Sequence, residues 1–212
     1  MRGKFITFEG PEGGGKSTHV KALAEALRAR GKTVLLTREP GGTPLAEKIR
    51  GLVREEFDDP PVTRSEVLLF LAARAQVVAN VIKPALARGE WVICDRFADS
   101  TFAYQGFGRG IDVALLRRLN DFATEGLVPD LTILLDVPPE VSRQRLAARQ
   151  AATATTADRM EQAGQEFHRR LRDGFLALAK DEPARFAVID SSGPCEAVSA
   201  HVFDAVQRLL TD

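Results

Sequence analysis

Gly10-Pro11-Glu12-Gly13-Gly14-Gly15-Lys16-Ser17-Thr18 fits the spacing G-x-x-x-x-G-K-S/T in full. Phosphate groups carry dense negative charge, so a site for them needs several N–H donors close together, and glycines let the backbone come that near. Gly13 to Gly15 meet that need. In such a cradle Lys16 reaches the β- and γ-phosphates, Ser17 places its hydroxyl on Mg²⁺, and the helix that begins there turns its positive end toward the anion. The flanks agree. Lys4-Phe5-Ile6-Thr7-Phe8-Glu9 reads as a strand feeding the loop, and Val20, Leu23, Ala24 and Leu27 recur at helical spacing beyond it. Strand, glycine loop and helix together imply ATP or GTP with a metal.

Working outward, Gly31 suits a helix C-terminus and Thr33-Val34-Leu35-Leu36-Thr37 reads as a second strand. Strand, helix, strand in succession points to a parallel α/β sheet. In open sheets of that kind ligands gather beyond the carboxyl ends of the strands, so the loop Arg38-Glu39-Pro40-Gly41-Gly42-Thr43 is expected to face the same crevice as the phosphate cradle. A short helix follows around Pro44 to Arg54, carrying Arg50. The most apolar segment runs from Val67 to Leu86 and is apolar on more than one face, which points to a subunit interface along it. Arg74, inside that run, either snorkels outward or has a buried partner.

Trp91-Val92-Ile93-Cys94-Asp95-Arg96 reads as a third strand with a carboxylate and a guanidinium at its carboxyl end. Asp95 is placed to hold Mg²⁺ or its water, and Arg96 to clamp a phosphate. Asp99-Ser100-Thr101-Phe102-Ala103-Tyr104-Gln105-Gly106 supplies hydroxyls, an aromatic ring and an amide, material suited to reading a flat polar ligand. A helix from Asp112 to Thr124, a strand from Leu131 to Asp136, a helix from Pro139 to Ala148, a long amphipathic helix with Phe167, Leu171, Phe175 and Leu178, a strand from Phe186 to Asp190 and a closing helix complete the chain. Between the helix from Pro139 and the long amphipathic helix an Ala/Thr-rich stretch reads as a lid over about 148–160, with Arg149 at its entry and Arg159 at its exit. Residues 1–212 are expected to form one domain.

Lys and Arg together number 29 and balance 29 Asp and Glu, so no global basic field recruits nucleic acid or an anionic membrane. No signal core and no run long and uncharged enough to span a bilayer is apparent, and the chain is expected to be cytoplasmic. The 2 cysteines, Cys94 and Cys195, show neither metal spacing nor a disulfide framework, and Cys94 reads as a core residue. Several arginines aimed at one crevice exceed what one triphosphate requires. That surplus suggests a second phosphorylated substrate, and so a kinase acting on a nucleotide or similar phosphate ester. A non-catalytic nucleotide-binding module and a kinase for another acceptor are the rival readings.

The chain resembles bacterial thymidylate kinases, of the P-loop nucleoside monophosphate kinase family, across nearly its whole length. The resemblance rests on F-E-G-P-E-G-G-G-K-S-T at Phe8 to Thr18, T-R-E-P-G-G-T at Thr37 to Thr43, F-L-A-A-R-A-Q at Phe70 to Gln76, D-R-F at Asp95 to Phe97, S-T-F-A-Y-Q-G at Ser100 to Gly106 and D-R-M-E at Asp158 to Glu161. It implies a P-loop NTPase fold with a five-stranded parallel sheet flanked by helices on both faces, ATP and Mg²⁺ as cofactors, dTMP as acceptor, and a homodimer through the apolar helix at 67–86. It also implies roles for single residues. Glu12 lies beside the acceptor sugar; Arg38, Arg50 and Arg96 meet the acceptor phosphate; Phe70 stacks on thymine; Arg74, Thr101 and Gln105 read the base, and Tyr104 stands near the sugar 2′ position. Glu39 and Ser100 fall among the substrate-binding residues. Arg149 matches the lid cation, with Arg143, Arg145 and Arg159 as neighbours able to share that work, since Ala151 to Ala157 is neutral where such lids hold several arginines.

Overall fold

Residues 2–55, 57–153 and 164–210 are described by a computed structural model of the chain. Five strands, β1 (Phe5–Glu9), β2 (Val34–Arg38), β3 (Trp91–Asp95), β4 (Leu131–Asp136) and β5 (Phe186–Asp190), form one sheet. All are parallel, in the order β2-β3-β1-β4-β5. The three central strands read as nearly unbroken apolar runs because both faces of the sheet are covered. Phe5, Val92, Cys94 and Leu134 point into one core, while Ile6, Phe8, Ile93, Ile133 and Leu135 point into the other.

The helices divide between those faces. In chain order they are α1 (Lys16–Arg28), α2 (Pro44–Arg54), α3 (Thr63–Val77), α4 (Lys83–Ala87), α5 (Ala98–Thr101), α6 (Val113–Thr124), α7 (Pro139–Thr153), α8 (Gln165–Asp181) and α9 (Cys195–Leu210). Val20, Leu23 and Leu27 of α1 and Val198, Val202 and Val206 of α9 cover one face. Helices α3, α4, α6 and α8 contribute to the core on the other. Local chemistry sets the ends: Thr43 caps α2 by accepting the Ala46 N–H at 3.2 Å with Pro44 at the first turn, and the Asp112 carboxylate caps α6 through the N–H groups of Ala114 and Leu115.

Three stretches differ from the sequence expectation. The helix from Pro139 does not stop at Ala148 but continues as α7 to Thr153, since alanine and glutamine favour helix. Most of the expected lid, with Asp158 and Arg159, lies outside the described residues. The stretch from Asp99 to Gly106 is helical: α5 widens into a π-helical segment, Phe102–Gly108, a geometry frequent at functional sites. Finally, α3 and α4 join through a π-helical segment, Val78–Ile82, into one helix from Thr63 to Ala87 of 25 residues, long and apolar enough by composition to cross a membrane. It is instead a core helix, with Val67, Leu71, Val77, Val78 and Ile82 buried against the sheet.

Candidate active site

The crevice begins where β1 ends. Its glycines are required by conformation and space: Gly10, Gly13 and Gly15 have φ of 130°, 72° and 84°, and a Cβ on Gly10 would stand 2.4 Å from the Leu135 carbonyl oxygen. Gly15 hands the chain to α1. Lys16, buried at the first turn, donates from Nζ to the carbonyls of Gly10 (3.0 Å) and Pro11 (2.8 Å). Burial, reinforced by the Arg96 charge, pushes its ammonium pKa down. Ser17 Oγ donates to Asp95 Oδ2 at 2.9 Å, so the hydroxyl and carboxylate singled out for a metal stand together. Thr18 follows on the exposed side of α1.

Arg96 sits at the joint between β3 and α5 with φ of 70°, a left-handed conformation uncommon outside glycine. From there its guanidinium reaches the Gly10 carbonyl (3.1 Å), Ser100 Oγ (3.0 Å), Glu12 Oε1 (2.5 Å) and Tyr104 Oη (3.1 Å). Burial alone would raise the Glu12 carboxyl; Arg96 and Lys16 outweigh it and hold it at about 2. Behind this cluster stands Glu9, fully buried. Its Oε1 accepts the N–H groups of Phe97 (2.7 Å) and Ser100 (3.2 Å), and its Oε2 accepts the Ser100 hydroxyl (2.6 Å). Burial and the neighbouring Asp99 charge raise its carboxyl to about 7 against the pull of Arg96.

Arg74 has buried partners and does not snorkel. Only 2% exposed, it donates from Nε to Glu39 Oε2 (2.7 Å), from Nη1 to Asn120 Oδ1 (3.1 Å), and from Nη2 to the Phe97 carbonyl (3.0 Å) and Thr101 Oγ1 (3.1 Å). A guanidinium has five N–H bonds, so this network fixes its plane while leaving one N–H on Nη1 beyond these contacts. Glu39 is buried; its other oxygen, Oε1, has no partner, and burial outweighs Arg74 in raising its pKa. Gln105 donates from Nε2 to Glu66 Oε1 at 2.8 Å. Arg38 pairs with Glu47 at 2.9 Å, and Arg50 donates to the Pro40 carbonyl at 2.9 Å.

These groups share one cavity of about 740 Å³. Glu12, Gly13, Gly15, Lys16, Ser17, Thr18, Arg38, Glu39, Arg50, Phe70, Arg74, Asp95, Arg96, Ser100, Thr101, Tyr104, Gln105 and Arg149 all line it, whereas Gly10, Pro11 and Gly14 shape the loop from behind. Arg145 lines it too and donates to the carbonyls of Gly13 (3.4 Å) and Ser192 (3.1 Å), while Arg143 is exposed and does not line it. Sequence reasoning does not find Glu9, Glu66, Asn120 or Arg54. Arg54 had a signal, since it lies i+4 from Arg50 on α2 and lines the same cavity. A single cavity lined both by a phosphate loop and by Phe70, Arg74 and Gln105 suits a triphosphate donor together with a flat, phosphorylated acceptor.

Comparison with known proteins agrees with that chemistry. The thymidylate kinase family model matches residues 8–202. A thymidylate kinase of Solidesulfovibrio magneticus is 50% identical over 208 residues, covering 97% of this chain and 100% of its own. One from Geobacter sulfurreducens is 51% identical over 205 residues, covering 96% of each. The crystal structure of thymidylate kinase from Ehrlichia chaffeensis superposes with a TM-score of 0.79 at 37% identity, covering 98% of this chain and 100% of that one.

Proposed function

The chain belongs to the thymidylate kinase family, and on that premise we propose how its crevice divides the work. The enzyme is an ATP-dependent nucleoside monophosphate kinase that moves the γ-phosphoryl group of ATP to dTMP, forming dTDP and ADP on the way to dTTP. Such a transfer needs little covalent chemistry from protein; it needs in-line placement and positive charge around the transferred group. The observation that carries the assignment is the one cavity that the phosphate loop and the Arg74 pocket both line.

The loop N–H groups and Lys16 take the ATP phosphates. Ser17 and Asp95, hard oxygen donors bonded to each other at 2.9 Å, suit Mg²⁺, an ion held by few protein oxygens together with phosphate oxygens. Held by these two residues, Mg²⁺ would supply positive charge to offset that of the ATP phosphates. Arg38, Arg50 and Arg96 receive the acceptor phosphate, and Glu12 orients Arg96 through its 2.5 Å contact beside the acceptor sugar. Phe70 stacks on the base, Arg74, Thr101 and Gln105 read its edge, and Tyr104 stands by the sugar with Ser100 behind Arg96. Glu39 serves by holding Arg74. Arg149 brings a cation to the transferred phosphoryl group, with Arg145 steadying the loop. An arginine donor aimed at a 4-carbonyl oxygen would face a donor amino group in cytosine, a costly mismatch; the contrast with uracil rests on one methyl group and supplies about 1–3 kcal/mol.

The same reading sets the enzyme in the cytoplasm, where charged nucleotides are retained, and in a homodimer. Supporting the dimer, Leu68 on α3 and Phe122 on α6 are 60% and 89% exposed, and the two helices are joined by the Arg74–Asn120 hydrogen bond. The test is ADP release with Mg-ATP and, separately, dTMP, dUMP, dCMP, AMP and thymidine. Strong preference for dTMP is expected; activity on thymidine but not dTMP would overturn the acceptor-phosphate roles.

A further inference from the structure

We propose that Glu66, which does not line the cavity, is the positioning residue that makes the pocket select a base edge carrying an N–H, by locking the Gln105 side-chain amide in one orientation. Gln105 is 2% exposed on the π-helical segment and lines the cavity; Glu66 is 1% exposed in the first turn of α3. The Gln105 Nε2 to Glu66 Oε1 bond is 2.8 Å long, and Arg109 Nε stands 3.3 Å from that same oxygen. The two ends of an amide are interchangeable in shape but opposite in chemistry. A carboxylate only accepts hydrogen bonds, so it takes the NH₂ end and turns the carbonyl oxygen away from itself. Arg109, just past the far end of the same π-helical segment, ties that carboxylate in place beside the amide. A glutamine without such a neighbour flips, offering acceptor or donor as the ligand demands.

An amide fixed with its oxygen free is an acceptor. It suits a pyrimidine whose ring nitrogen 3 bears a proton, as in thymine and uracil, and opposes the lone pair that cytosine carries there. This inference rests on the reading of the crevice as the dTMP site and adds a second discriminator to Arg74, one that acts on the ring nitrogen and not on the exocyclic group.

The experiment compares kcat/KM for dTMP, 5-methyl-dCMP and dUMP in the wild type and in Glu66→Gln. 5-Methyl-dCMP differs from dTMP only at ring nitrogen 3 and the 4-substituent, while dUMP differs only by the methyl group. A glutamine at this position no longer dictates which end of Gln105 it meets. The dTMP to 5-methyl-dCMP preference is expected to fall about tenfold or more in Glu66→Gln, with the dTMP to dUMP preference unchanged. In a Gln105→Leu background the same substitution is expected to have no further effect on either ratio. An unchanged preference against 5-methyl-dCMP would overturn the proposal and leave the dTMP reading intact. An equal fall in both ratios would also overturn it, since a pocket that is merely loosened loses its grip on the methyl group as well. A wild type that does not phosphorylate dTMP would remove the premise and the proposal with it. If Glu66→Gln does not fold, Glu66→Asp, which keeps the charge for Arg109 but withdraws the oxygens by one methylene, gives the same readout.

Discussion

Glu9 illustrates how much of this site depends on a residue that never meets solvent. Its carboxyl is raised to about 7, chiefly by burial, from an ordinary value of 4.5. Below pH 4.5 both folded and unfolded chains hold the proton and no penalty is felt; between 4.5 and about 7 the unfolded carboxyl ionises first, so stability drains away as pH rises. Glu12 has the opposite sign: held at about 2, it contributes stability above pH 4.5 that is lost as pH falls toward 2. Glu9→Gln keeps an acceptor for the Phe97 and Ser100 N–H groups and removes the titration. Thermal melts at pH 5 and pH 8 are therefore expected to show wild type losing on the order of 1–3 kcal/mol relative to Glu9→Gln across that interval. A parallel loss in both proteins would assign the pH dependence elsewhere. Arg149 tests the transferring end of the site. Arg149→Ala is expected to lower kcat roughly 10²-fold or more with little change in KM for dTMP, because a cation that acts on the moving phosphoryl group is felt in the transition state. Arg143→Ala, exposed on the same helix and outside the cavity, is the control; near-normal turnover in Arg149→Ala would remove that residue from the chemistry.

At the scale of elements, α8 presses closely on the π-helical segment that carries Tyr104 and Gln105. A Cβ at Gly174 would stand 2.6 Å from Phe107 Cβ, whereas one at Gly51 on α2 would meet nothing within 4 Å. Gly174→Ala is thus expected to destabilise by about 1–3 kcal/mol in denaturant melts and to raise KM for dTMP, as the segment shifts. Gly51→Ala gains up to about 1 kcal/mol from helix propensity. Equal stability of the two variants would mean that α8 yields without cost. These elements also show what a sequence can display. The five strands and most helices are legible because apolar residues recur at the periods that a two-faced sheet and its covering helices demand. The phosphate loop, Arg96 and Asp95 are legible because spacing places them at strand ends. The helix from Ala98 to Gly108 is not, since its hydroxyls, aromatic ring and glycines obscure any period. Glu9, Glu66 and Asn120 escape for another reason: each acts by holding a different side chain over 39 to 91 positions of sequence, and pairing at that distance leaves no mark on local pattern.

For the whole molecule, assembly turns on the helix from Thr63 to Ala87. It is apolar on two sides. Val67, Leu71 and Val77 fill the core beneath the sheet, while Leu68, Ala72 and Ala79 lie on the exposed side, spaced as one helical stripe. Beside it α6 presents Phe122 to solvent, and Lys83 pairs with Glu125 just beyond. A large aromatic ring left 89% exposed loses the roughly 1.5–3 kcal/mol that burying such a side chain brings, and in the proposed dimer a second copy of this face would recover it on both chains at once. Sedimentation velocity at micromolar concentration is expected to show a dimer for the wild type and a monomer for the pair Leu68→Glu with Phe122→Glu, because two like charges on each face meet their own copies across a twofold axis. A wild type that sediments as a monomer would end the dimer proposal, and a doubly substituted chain that still dimerises would move the interface off this face. The same monomer, if obtained, bears on the site: α3 carries Phe70 and Arg74, so loosening the helix from its partner is expected to raise KM for dTMP more than KM for ATP, whose phosphates are proposed to rest on the loop before α1.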